Sequence, residues 1–126
     1  MPALLAGLSG RLPQAREILA QLEAHPEQWE LGAVTGQVMS ARAEILLDEG
    51  QAEEALRLLR QAVHCFQEMH VPLEAATARL RLAELLILAG DTEGAGLELG
   101  GAEKVFRRAQ ASWMLERCSR LRASVG

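Results

Sequence analysis

Gly50–Ala62 reads GQAEEALRLLRQA, and Gly90–Ala102, 40 residues later, reads GDTEGAGLELGGA. Aligned without a gap, the two share glycine at the first position, Ala55 with Ala95, Leu59 with Leu99, and Ala62 with Ala102. GRLPQAREILAQL at Gly10–Leu22 is a weaker third copy, with Ala15 and Leu19 in the same columns. Phe66 and Phe106, the only phenylalanines, keep the same spacing. A fixed period of this length marks a repeat array, in which each unit buries its apolar face against its neighbours.

The alphabet says what the units are made of. Leu, Ala, Glu and Arg dominate the 126 residues, Tyr is absent, and β-branched and aromatic residues are scarce. These are helix formers with almost no strand material. Arginine in place of lysine, with abundant Ala, Gly and Leu, suggests a GC-rich bacterial genome. The net charge of −4 argues against general nucleic-acid binding. The charge is unevenly placed, with −9 over residues 1–103 (7 Arg, 16 Asp/Glu) and +5 over 104–126 (six Lys/Arg, one Glu). Cys65 and Cys118 form no CxxC pair and read as reduced, buried thiols of a cytoplasmic protein. The start, MPALLAGLSG, has no basic leader. The densest apolar run, Leu80–Ala89, is interrupted by Arg81 and Glu84, so no membrane span is expected.

Punctuation and periodicity predict about six helices. Pro13 opens the first, near Leu12 to Ala24, and His25-Pro26 ends it. A long helix runs from Glu27 to Glu49 and closes on Gly50 as a left-handed C-cap. The next spans Ala52 to Met69. Pro72 opens a helix over Leu73–Ala89, stopped by Gly90. Asp91 or Thr92 caps a helix reaching Ala109, and Ser112 caps the last, Trp113 to Ala123. Short connections make sequential helices antiparallel. LLAGLSG at Leu4–Gly10 aligns with EILLDEG and ELLILAG, so the chain reads as an excised or divergent piece of a longer array. Within one domain over 1–126, residues 1–24 form an incomplete first repeat, 27–69 and 73–109 two full pairs, and 112–123 a terminal helix.

The pattern resembles the tetratricopeptide repeat. Gly50, Ala55, Leu59 and Ala62 match its second helix, as do Gly90, Ala95, Leu99 and Ala102. Ala43 and Ala83 match the small residues at the close approach of its paired helices. The family's aromatic residues are replaced by Met39, Leu46, Arg79 and Leu86, and the period of 40 exceeds the usual ~34. This long variant, with phrases such as FQEMHVPLEAATARLRLAELLILAGD, is similar to helical repeat regions of bacterial LuxR/MalT-type regulators and ATPase-linked signalling proteins. The resemblance implies an all-α solenoid of antiparallel helix pairs in a right-handed superhelix. It further implies a concave groove lined by the first helix of each pair. Position by position, that groove takes Gln37, Ser40, Glu44, Leu47 and Asp48, then Thr77, Leu80, Glu84, Ile87 and Leu88, then Arg117 and Arg120. It would carry stacked carboxylates on one side and arginines on the other, suited to a peptide with basic and apolar side chains.

Chemistry is not signalled. There is no P-loop, GxSxG, HExxH or zinc-type Cys/His spacing, and His64, Cys65 and His70 do not share a helix face. No enzyme activity, cofactor or metal is expected. Gly94, Gly96, Gly100 and Gly101 interrupt one helix at a cost of about 0.8–1 kcal/mol each. Close helix packing across Gly96 and Gly100 would offset it, as would a self-association face. Leu4, Leu5 and Leu8, left without neighbours, point the same way, so a homodimer is expected. Trp29 and Trp113 are expected to cover the open ends of the superhelix; the other reading is a partner hot spot. The function expected is a protein–protein interaction scaffold in a signalling or transcription-regulatory protein. A small-ligand sensor is the alternative.

Overall fold

The computed structural model describes residues 32–125, together with Arg16, Glu17 and Ala20. The rest of the first repeat, including Leu4, Leu5 and Leu8, and Trp29 with the start of the long helix, lie outside the described residues. The described chain is five helices with no strand: α1 (Gly32–Asp48), α2 (Ala52–Glu68), α3 (Pro72–Leu88), α4 (Thr92–Arg108) and α5 (Ser112–Val125). Each packs on the next, and α3 also touches α5. Three-residue joints force consecutive helices to run antiparallel. This is the all-helical repeat that the 40-residue period predicts.

Helices α2 to α5 begin at 52, 72, 92 and 112, so the unit of construction is 20 residues, half the sequence period. Every joint closes in the same way. Gly50 and Gly90 have φ of 82° and 88°, and His70 and Gln110 take the same left-handed conformation at 58° and 57°. At the first joint the Gly50 N–H donates to the Leu47 carbonyl at 3.1 Å, and the Gln51 N–H to the Leu46 carbonyl at 2.9 Å. This is the Schellman pattern, which satisfies carbonyls that a helix end leaves unpaired. It recurs as Val71 to Phe66, Asp91 to Leu86 and Ala111 to Phe106.

The residue after each left-handed position then caps the following helix: its carbonyl accepts from Ala55, Ala75, Ala95 or Leu115. Asp91 adds a side-chain bond, its Oδ1 accepting from the Gly94 N–H at 2.8 Å. At the last joint Ala111, not Ser112, holds this cap position; Ser112 is already the first helical residue. Pro72 likewise lies inside α3, at a first-turn position whose missing N–H costs nothing.

Alanines set the spacing of the helices and leucines fill it. Ala43, Ala55, Ala62, Ala83, Ala95 and Ala102 are at most 1% exposed, with Leu59, Leu99 and Phe106 buried among them. Phe66 reaches the same core because Gly36 gives way: a Cβ at Gly36 would stand 2.6 Å from the ring.

The glycines of α4 divide into two kinds. A Cβ at Gly94 would meet the capping Asp91 carboxylate, and one at Gly101 would fall on the Arg79 guanidinium. Nothing lies within 4 Å of a Cβ built at Gly96 or Gly100. The expected close packing across those two positions is therefore not made among the described residues, because that side of α4 meets no neighbouring helix of theirs.

Candidate partner-binding face

Helices α1, α3 and α5 start the pairs and share one side of the array. At about 100° per residue, Leu73, Thr77, Arg81, Glu84 and Leu88 fall on a single stripe of α3. Thr77 is exposed and Arg81 and Glu84 are half-buried, while Leu73 and Leu88 are 42% and 74% exposed at the two ends. Forty residues earlier the stripe passes through Gln37 and Asp48, both exposed, with Glu44 half-buried between them. Forty residues later it passes through Trp113, 62% exposed, and Arg117.

The three stripes are laced by ion pairs. Arg81 Nε donates to Glu44 Oε2 at 2.6 Å and its NH2 to Glu44 Oε1 at 2.8 Å, a two-point grip from α3 onto α1. Its NH1 donates to Glu84 Oε1 at 3.0 Å. The other Glu84 oxygen accepts from Arg117 NH2 of α5 at 3.3 Å. The four side chains are 12–25% exposed, so the row sits at the surface without dissolving into it. Burial opposes the Arg81 charge, but both Glu44 contacts and the Glu84 carboxylate outweigh it and hold its pKa above the ordinary arginine value.

This geometry redraws the expected groove. Carboxylates and arginines do not form two opposed sides. They alternate along one row whose charges sum to zero, which removes the reason for a basic ligand. Leu80, expected in the groove, is 1% exposed and belongs to the core. Its column runs Ser40, Leu80, Arg120, and among the described helices α3 is the one flanked on both sides by others of its type, which favours an apolar residue there. Ser40, Leu47 and Ile87 flank the stripes half-buried, and Arg120 is exposed beside Glu116.

Arg81 and Leu73 escaped the sequence reading, which gives Trp113 a partner hot spot as its second reading. Arg81 stands in the column of Ala41, which is buried, so register gave no hint of a charge. Leu73 and Trp113 share a column at the helix starts, and both are exposed. Exposed leucine and tryptophan together are the available signal, since both favour buried contacts.

A family model for the tetratricopeptide repeat matches residues 36–61 and 76–96. The match supports a tetratricopeptide-repeat family. Each matched segment starts within a first helix and runs across a Schellman joint into the next one, α1 into α2 and α3 into α4. No curated protein and no solved structure matches the chain at a significant level. Tetratricopeptide repeats generally mediate protein–protein interaction and are typically non-enzymatic scaffolds. Among the described residues no group of His, Cys, Asp or Glu could hold a metal, and no helix is long and apolar enough to cross a membrane.

Proposed function

We propose that the face shared by α1, α3 and α5 docks a peptide or protein segment through apolar side chains, and that the chain is a regulatory module of a bacterial signalling or transcription-regulatory protein. The observation that carries the docking reading is the coincidence on one face of Leu73, Leu88 and Trp113 with a charge-neutral ion row between them. Apolar residues at the margins offer contact area, and the fixed guanidinium and carboxylate edges offer hydrogen bonds that set register. A partner helix or extended segment lying across the three helices would meet both. The resemblance to LuxR/MalT-type repeat regions supports the regulatory setting. Self-association into a homodimer through Leu4, Leu5, Leu8, Gly96 and Gly100 is proposed separately; the open space over Gly96 and Gly100 leaves room for it.

Selection of binders from a displayed random-peptide library tests the docking reading. Selected peptides should be rich in Leu, Ile or aromatic residues, without an excess of Lys and Arg. Their affinity should fall about tenfold or more for Leu88→Ser or Trp113→Ser, as for loss of an interface anchor. It should be unchanged for Leu97→Ser, an equally exposed leucine of α4 that lies off this face. Equal loss from Leu97→Ser would reject the assignment.

A further inference from the structure

The opposite side of α3 carries a second, differently built feature. Arg79 and Leu82 point away from the Thr77–Leu88 stripe by about half a turn. With Arg60, Val63 and Gln67 of α2 and Glu98 of α4 they line an open cleft of 240 Å³. Arg79 Nε donates to Glu98 Oε1 at 2.9 Å, the pair being 26% and 19% exposed. Arg60 is exposed and has no ion pair or hydrogen bond among the described residues. Two arginines against one carboxylate leave the cleft one positive charge in excess, above a floor of Val63 and Leu82 that is at most 8% exposed.

The repeat supplies its own control. Forty residues before Arg79, Glu98 and Gly101 stand Met39, Leu58 and Gln61. There the fold is held by apolar side chains, and Met39 and Leu58 pack against the core. In the later unit an ion pair replaces them, and glycine replaces glutamine where a Cβ would fall on the Arg79 guanidinium. Packing does not require this triple exchange, since the earlier unit packs without it. A half-buried ion pair and a helix-interior glycine are both poorer for stability than what they replace. Three coordinated departures, each unfavourable to folding, converge on one cleft beside an unpaired arginine.

We infer that this cleft is a recognition site for a carboxylate on a short aliphatic stem, bridging Arg60 and Arg79 with the stem over Val63 and Leu82. The carboxylate could belong to a chain end or to an acidic side chain, and two probes separate these sources. Titrate the ¹⁵N-labelled protein with N-acetyl-L-leucine, with N-acetyl-L-glutamic acid α-amide, and with neutral N-acetyl-L-leucinamide. One of the acids should give saturable shifts at Val63, Gln67 and Leu82, and the leucinamide should bind about tenfold more weakly or not at all, as for loss of a charged hydrogen bond. Arg60→Gln, at an exposed position, should abolish the response with the fold intact. The variant Arg79→Met/Glu98→Leu/Gly101→Gln, which restores the earlier unit's pattern, should be at least as stable as wild type and fail to respond. Equal response to acids and amide, an unchanged response in Arg60→Gln, or silence with both acids overturns the proposal. So would a triple variant that is less stable, because the exchange would then serve folding.

Discussion

Glycine illustrates how one residue type takes opposite signs in one fold. At Gly36 the Phe66 ring occupies the place of a side chain, and an aromatic ring wedged between helices cannot step aside as a lysine would. Alanine there gains helix propensity of about 1 kcal/mol but overpacks the core at about 1–3 kcal/mol. Gly36→Ala is therefore expected to lower the urea midpoint. Among the described residues nothing stands near a methyl group at Gly96 or Gly100, so each alanine should raise the stability of the monomer by about 0.5–1 kcal/mol, measured the same way at concentrations too low for self-association. Cysteine reactivity is decided at the same scale. Cys118 is fully buried, and burial together with the nearby Glu103 carboxylate pushes its thiol up from the ordinary value. Cys65 is half-buried, its Sγ 3.8 Å from Met39 Sδ. Iodoacetamide at neutral pH should modify Cys65 first and leave Cys118 thiol-protected until the protein unfolds, as mass spectrometry would show.

Among the elements, the joints explain what was and was not readable beforehand. Gly50 and Gly90 announce left-handed turns because glycine alone adopts them without a Cβ penalty. His70 and Gln110 adopt the same turn with no such announcement, since four hydrogen-bonded joints of one geometry override local preference. Hence the sequence shows a period of 40 where the helices repeat every 20. A left-handed residue with a side chain costs about 1–2 kcal/mol, offset in part by the greater unfolded-state freedom of glycine. His70→Gly and Gln110→Gly should therefore each stabilise by up to about 1 kcal/mol. Gly50→Ala and Gly90→Ala should each destabilise by up to about 1 kcal/mol although their Cβ positions are open among the described residues. Calorimetric melting of the four variants checks both signs. The candidate face was legible in part for a related reason. Glu44 and Glu84 share one column of successive first helices and Arg117 stands in that of Gln37 and Thr77, whereas Arg81 breaks its column and could be placed only by its contacts.

Across the whole molecule, the ion row ties α1, α3 and α5 to one another on a side where no second-type helix intervenes. Removing its centre takes the two-point grip from Glu44 and one of two arginines from Glu84, carboxylates 12% and 25% exposed. Arg81→Met should cost about 2 kcal/mol, between the values for exposed and fully buried pairs. Much of that loss should return in Glu44→Leu/Arg81→Met, because an apolar pair replaces a half-desolvated ionic one. Denaturant titrations of the three proteins measure the coupling. The resulting rigid, neutral row with leucine and tryptophan at its margins is the surface on which the functional account rests. Its most direct test is a chemical-shift footprint of a library-selected peptide on the ¹⁵N-labelled protein. The account predicts perturbations at Leu73, Thr77, Arg81, Glu84 and Leu88 of α3, spreading to Glu44 on one side and to Trp113 and Arg117 on the other. Perturbations confined to the outward residues of α2 and α4, such as Arg57 and Leu97, with the α3 stripe unmoved, would contradict it.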